Sequence, residues 1–248
     1  MRSPADAVPS WVWVPEVPPP GERITLGEDA SHHVRRVCRA RPGDTVAVTD
    51  GRGAVGRVRL ADGAAAIVLD RHDEPPPAAT VIACGAPEGE RGDWLVEKLA
   101  ELGVAAFQPV DTERARWRAA GAREERWRRL VRAAVQQSRG AWALEVRPVQ
   151  GLAEFLSGLP AGGARWLADV AGPSAGAVDV GQGAAVGLVG PAAGLSERER
   201  DLAVARGFRP IALARRRLRA ETAALALAAW WASGERPAGG ETTGTAMP

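Results

Sequence analysis

Apolar and polar positions along the chain follow two rhythms. Up to about residue 73 the apolar residues come in short runs. Trp11–Val14, Arg23–Leu26, Thr45–Thr49, Val55–Leu60 and Ala65–Leu69 are predicted as strands. Asp50-Gly51 and Ala61-Asp62-Gly63 supply turns between them. One short helix fits at about Asp29–Arg39, stopped by Pro42-Gly43. EPPPAAT, residues 74–80, follows. Consecutive prolines lack the N–H groups of a helix or a strand ladder, so this segment reads as a stiff linker. A small β-rich unit is predicted over 1–73 and a second unit over 78–233.

Beyond the linker, strands and helices alternate. Strands are predicted at Thr80–Cys84, Ala105–Val110, Glu145–Val149, Trp166–Val170, Ala184–Val189 and Phe208–Ala212. Helices are predicted at Gly92–Leu102, Arg123–Ser138, Leu152–Leu156, from Ser196 onward, and at Arg219–Trp231. Ser196 with Glu199 three residues on has capping-box spacing. Residues 171–183 read as a small-residue loop, and 234–248 as a disordered tail. Alternation of this kind predicts an α/β fold with a mainly parallel sheet covered on both faces.

Charge adds a partner to this picture. The net charge is only +2, but the cations are uneven. Lys98 is the sole lysine, so nearly every cation is an arginine, whose planar fork suits phosphate. Glu113–Arg139 holds nine arginines against three glutamates. Arg35, Arg36, Arg39 and Arg41 form a second cluster. Two such clusters favour a nucleic-acid surface over solvated helix faces. Cys38 and Cys84 lie far apart and read as buried thiols in a reducing compartment. The opening MRSPADAVPS lacks the apolar core of a secretory signal, and no apolar run is long enough to span a membrane. A cytoplasmic protein is therefore expected. His32-His33 has no third ligand at sensible spacing, so no metal is expected. The nine tryptophans are expected in cores or interfaces, with Trp117 as a candidate for stacking on a base.

Two stretches suggest a ligand site. In VGLVGPAAGLSERE, Val186–Glu199, an apolar strand stops at Gly-Pro and a capped helix follows. Ligands of parallel sheets sit outside the carboxyl ends of the strands. Glycine lets backbone groups approach a ligand closely. The alternative is a plain strand-to-helix turn. LARRRLRAETAALALAAWW, Leu213–Trp231, likewise carries Arg219, Glu221 and Thr222 between a strand end and a long apolar helix. No GxSxG, GxGxxG or GxxxxGK[ST] spacing accompanies them.

Taken in order, several segments resemble one family. These are HHVRRVCRARPGDTVAVTDGRG, EGERGDWLVEKLAELGV, PVDTERA, AAVQQSRG, LVGPAAGLSERE and LARRRLRAETAAL. The chain resembles the bacterial ribosomal RNA small subunit methyltransferase E family, the 16S rRNA uridine N3-methyltransferases of the SPOUT superfamily. The resemblance implies a PUA-like RNA-binding domain, then a trefoil-knotted α/β domain that binds S-adenosylmethionine in its knot loops and works as a homodimer. It places cofactor binding at Leu188, Gly190, Pro191, Gly194, Leu213, Leu218, Glu221 and Thr222, and the dimer helix at Glu221–Trp231. Arg219 is the candidate for stabilising charge on the uracil oxygens. Arg35, Arg36, Arg39, Arg91, Arg114 and Arg139 are candidates for contact with 16S rRNA of the small subunit. The chain departs from the family pattern at Ala192 and Ala193, where Glu-Gly is usual, at Ala214 and at Gln136. An alanine where positive φ is needed would be strained. A paralogue that binds RNA with weakened catalysis is the alternative expectation.

Overall fold

A computed structural model of the 248-residue chain describes residues 10–117, 120–178 and 183–234. Residues 235–248 of the expected tail lie outside them.

The first sheet comprises β1 (Trp11–Trp13), β2 (Arg23–Thr25), β3 (Thr45–Thr49), β4 (Ala54–Leu60) and β5 (Ala65–Asp73), in the order β1-β3-β4-β5-β2. β1 runs parallel to β3 and the other pairs are antiparallel. Val12, Val14, Leu26, Val34, Val58, Leu60 and Val68 fill its core. β5 runs four residues past the predicted Leu69. Its extension is charged, yet Asp70 accepts from the Arg57 backbone N–H at 2.9 Å and pairs with the Arg57 guanidinium. Charged residues hid this strand from a hydrophobicity pattern. The predicted helix at Asp29–Arg39 is instead α1 (Glu28–His32) followed by one π-turn, His33–Val37. Cys38 N–H reaches back to His33 O, and Arg39 at φ 55° then leaves the helical region.

The second sheet is wholly parallel. Its elements are β6 (Thr80–Gly85), α2 (Arg91–Glu101), β7 (Ala106–Asp111), α3 (Ala120–Ser138), β8 (Glu145–Val146), β9 (Gln150–Gly151), α4 (Leu152–Ser157), β10 (Ala164–Ala168), β11 (Ala185–Val189), α5 (Glu197–Ala205), β12 (Arg209–Ile211) and α6 (Ala220–Gly234). The strand order is β12-β10-β11-β6-β7-β8, with β9 also beside β7. The single strand predicted at Glu145–Val149 is two, because Pro148 has no N–H for the ladder. Leu95, Leu99, Trp127, Val131, Leu227 and Trp231 of α2, α3 and α6 join one core cluster. Leu152, Phe155, Leu156 and Ala203 of α4 and α5 pack with Leu167 and Leu188 in another. Burying apolar surface in two layers around one sheet is what this alternation demands.

The last third crosses itself tightly. β11 and β12 flank β10 on opposite sides. The loop after β10 then runs over the end of β12, where Ala175 N–H donates to Ala212 O at 2.9 Å and Ala212 N–H to Pro173 O at 2.8 Å. A Cβ on Gly172 would lie 2.5 Å from Ile211 N, so only glycine lets the two backbones pass.

The two sheets are joined by backbone. Gly53 N–H donates to Ala141 O and Ala143 N–H to Gly51 O, both at 2.9 Å. Trp13 N–H donates to Gln136 Oε1 at 2.8 Å. Gln136 thus acts here as a structural acceptor.

Candidate active site

Three loops leaving β10, β11 and β12 meet around a cleft of about 380 Å³. Its walls are Leu167–Val170, Val189–Leu195 and a stretch from Ile211 to Ala223, with Arg114 and Arg200 at the sides. Most of these side chains are small or apolar, so polar recognition falls to main-chain groups together with Asp169 and the arginines. Asp169 is the carboxylate of the lining. It accepts from Ala171 N–H at 3.0 Å and pairs with Arg200.

The turn at Gly190–Gly194 is held from several sides. Ala192 O accepts from Arg217 Nη2 at 3.2 Å, and Ala193 O from Arg114 Nη1 at 3.1 Å. A Cβ on Gly85 at the end of β6 would lie 2.6 Å from Pro191 N, so the turn rests directly on that backbone. Ser196 and Glu199 form the expected capping box at the start of α5. The expected strain at the alanines is absent. Among the described residues only Arg39 and Arg139 have positive φ without being glycine, while Gly194 does so at φ 75°.

A second cleft, about 840 Å³, adjoins the first. Ala86–Gly89, Glu113–Trp117 and Arg123 line it, and it shares Arg114, Ala192 and Ala193 with its neighbour. Charged side chains make up a larger share of its wall: Arg114, Arg116, Arg123, Glu88 and Glu113 stand there among few other residues, whereas Asp169, Arg114, Arg200, Arg216 and Arg217 stand among many small and apolar ones in the first. The turn that carries Arg114 and Arg116 is internally fixed, while Arg123 stands on α3. Thr112 N–H donates to Ala115 O at 2.9 Å, and Trp117 N–H to Asp111 Oδ1 at 2.8 Å.

The sequence candidates separate on this geometry. Gly190, Pro191, Gly194, Leu213 and Leu218 line the first cleft. Leu188 does not; it is fully buried in the core beneath. Glu221 and Thr222 are also outside the lining. Glu221 is 1% exposed and takes Arg91 as its partner at 2.5 Å, which ties up an expected RNA contact. Arg219 is exposed and outside both linings, whereas Arg216 and Arg217 face the first cleft. Arg35 donates to Ala61 O at 2.8 Å and to Gly63 O, pinning the β4–β5 turn. Arg36 and Arg139 are exposed. Trp117 is no stacking platform. It is buried, donates to Cys84 O at 3.1 Å and packs edge-on against Phe107 and Trp127. Cys38 is exposed, contrary to expectation, while Cys84 is buried. Burial, reinforced by the Glu221 charge, pushes the Cys84 thiol up and keeps it protonated. Among the described residues no group of three His, Cys, Asp or Glu is placed to hold a metal. Asp169, Arg200 and Arg217 went unseen in the sequence; an aspartate at a strand's carboxyl end was the signal available for the first.

Known proteins share this fold. The family model described as an RNA methyltransferase domain matches residues 74–232, and one described as an RNA methyltransferase PUA domain matches 26–68. A curated relative, ribosomal RNA small subunit methyltransferase E of Synechocystis, is 33% identical over 81% of this chain and 69% of its own length. The chain belongs to the ribosomal RNA small subunit methyltransferase E family. Its fold is of the SPOUT type, a PUA-like mixed sheet followed by a parallel sheet with helices. The crystal structure of the Neisseria gonorrhoeae member, described as bound to S-adenosyl methionine, is 32% identical. It superposes with a TM-score of 0.79 over 89% of this chain and 95% of that one. A probable rRNA-methyltransferase from Porphyromonas gingivalis gives 0.77 at 28% identity, over 91% and 98%. No helix among the described residues is long and apolar enough to cross a membrane.

Proposed function

We propose that this chain transfers the methyl group of S-adenosylmethionine to N3 of a uridine in 16S rRNA of the small ribosomal subunit. The observation that carries the reading is the pair of adjoining clefts sharing Arg114, Ala192 and Ala193. The first has the volume of a small-molecule site, and the arginines lining both suit the phosphates of an RNA that reaches across them.

The residues of the first cleft fit the cofactor. Backbone groups of 189–195 and 211–218 would read the adenosyl part, and Asp169 offers a carboxylate acceptor for hydroxyl or ammonium groups. The bound cofactor supplies an activated methyl on a sulfonium, so the enzyme needs no covalent intermediate. Buried, protonated Cys84 agrees with that. Arg114, Arg116 and Arg123 would grip phosphates flanking a flipped-out nucleotide. Glu88 and Glu113 are the carboxylates lining the second cleft; Glu113 pairs with Arg198 at 3.6 Å, which leaves Glu88 as the acceptor we assign to the N3 proton. We assign stabilisation of charge on the uracil oxygens to Arg114 in place of Arg219, because Arg114 lines both clefts. Absence of positive φ at Ala192 and Ala193 takes away the strain argument for a weakened paralogue.

The reading implies a cytoplasmic protein. It also implies a homodimer formed on the α2–α6 face, where Trp94 is 45% exposed and Leu225 shares its groove.

The test is incubation with methyl-labelled S-adenosylmethionine and small subunits lacking the modification, followed by nucleoside mass spectrometry. One N3-methyluridine in 16S rRNA is expected. Label on another atom, or none, overturns the proposal.

A further inference from the structure

The carboxylate of Glu199 serves more than its helix. It is 6% exposed. Oε2 accepts from Ser196 N–H at 2.9 Å, while Ser196 Oγ accepts from Glu199 N–H at 3.1 Å, which completes the capping box. A capping box uses one carboxylate oxygen. The other, Oε1, accepts from the backbone N–H of Glu113 at 2.8 Å, across 86 residues of sequence.

Glu113 is followed by Arg114, which donates to Ala193 O at 3.1 Å. Ala193 in turn stands three residues before Ser196. The connections close into a ring through Ala193, Ser196, Glu199, Glu113 and Arg114. One buried carboxylate therefore clamps the turn after β7 to the turn after β11. These turns supply walls to both clefts.

We infer that Glu199 is a positioning residue for methyl transfer, fixing Arg114 and its turn against Ala192-Ala193 so that both clefts keep one spacing. The inference rests on the reading of the clefts as donor and RNA sites. Glu199→Ala strands two backbone N–H groups, Glu199→Gln keeps one acceptor, and Ser196→Ala leaves both carboxylate bonds in place. Without the charged acceptor nothing among the described residues ties the half-buried Glu113 N–H to α5, and the exposed turn is free to shift.

The experiment compares Ser196→Ala, Glu199→Gln and Glu199→Ala in steady-state methyl transfer to small-subunit RNA, below the melting temperature of each. Ser196→Ala should lower Tm while KM for RNA and kcat stay within about twofold of wild type. Glu199→Ala should raise KM for RNA on the order of tenfold, with Glu199→Gln between the two. Equal KM for Glu199→Ala and Ser196→Ala would reduce Glu199 to a cap and overturn the inference. Should Glu199→Ala not fold, the same comparison is made with Glu199→Gln, and a KM equal to that of Ser196→Ala again overturns it. Should wild type transfer no methyl to this RNA, it is the cleft reading that fails. Amide exchange then tests the clamp alone: protection of the Glu113 amide falls in the Glu199 variants and holds in Ser196→Ala, or the clamp is wrong.

Discussion

The two clefts that meet at Ala192 and Ala193 are made of different materials. One is walled mainly by the loops at three strand ends, where Gly190, Pro191, Ala192 and Ala193 offer little side chain and Asp169, Arg200, Arg216 and Arg217 add the charge. The other is shorter of main-chain wall and denser in charged side chains, Arg114, Arg116 and Glu113 on the turn after β7, Arg123 on α3 and Glu88 after β6. Backbone recognition depends on where the main chain runs, so it tolerates a changed side chain and fails when the path moves. Recognition by charge depends on side chains and is screened by salt. Substitutions in the two clefts should therefore behave differently.

The largest effect is expected where the backbone path is forced to move. In Gly85→Ala the new Cβ would lie 2.6 Å from Pro191 N. Both atoms belong to rigid segments, so the turn must shift, costing about 2–4 kcal/mol in urea denaturation. S-adenosylmethionine affinity should fall by at least about tenfold, a difference of roughly 1.4 kcal/mol. Unchanged affinity would detach the turn from the donor site.

Next comes the arginine shared by both clefts. Arg114→Ala should lower kcat/KM by on the order of tenfold or more through loss of charge and of the Ala193 contact. Arg116→Ala should weaken RNA binding alone and reduce the slope of log affinity against log salt by about one. Identical profiles for the two variants would erase the distinction between the clefts.

A smaller effect is expected from restoring the family residue. Ala192→Glu should leave cofactor affinity within about threefold, because the backbone already follows an unstrained path there. A large gain would show that the alanines are a defect and would revive the weakened paralogue.

The smallest effect concerns Cys84, beneath the shared wall. Its thiol is neutral in the folded protein and ionises freely on unfolding. A folded-state pKa above the unfolded one adds stability at low pH that is lost as pH rises past the ordinary thiol range near about 8.5. Wild type should lose stability more steeply than Cys84→Ala between about pH 8 and 10 in urea denaturation, and equal slopes would contradict the assignment.

Much of the fold was legible because burial on both sides of a parallel sheet leaves apolar runs that stand out. The capping box at Ser196 and Glu199 was legible as a local spacing. What escaped is instructive. The charged end of β5 hides its ladder behind Asp70 and Arg71, and Pro148 divides one expected strand into β8 and β9. Glu199 to Glu113 and Arg91 to Glu221 are long-range pairs, invisible to any local pattern. The arginines between Leu213 and Ala220 are equivalent in sequence, and only the loop path turns Arg217 inward while Arg219 stays outside the cleft. The first cleft is lined mostly by small and apolar residues, and the main-chain groups between them leave no mark on residue identity.

Calorimetric titration of the purified protein with S-adenosylmethionine tests this account most directly. It predicts one site per chain with a dissociation constant in the range of about 1–100 µM, despite the two alanines. No heat of binding at millimolar cofactor would contradict a donor site read by backbone at Gly190–Gly194.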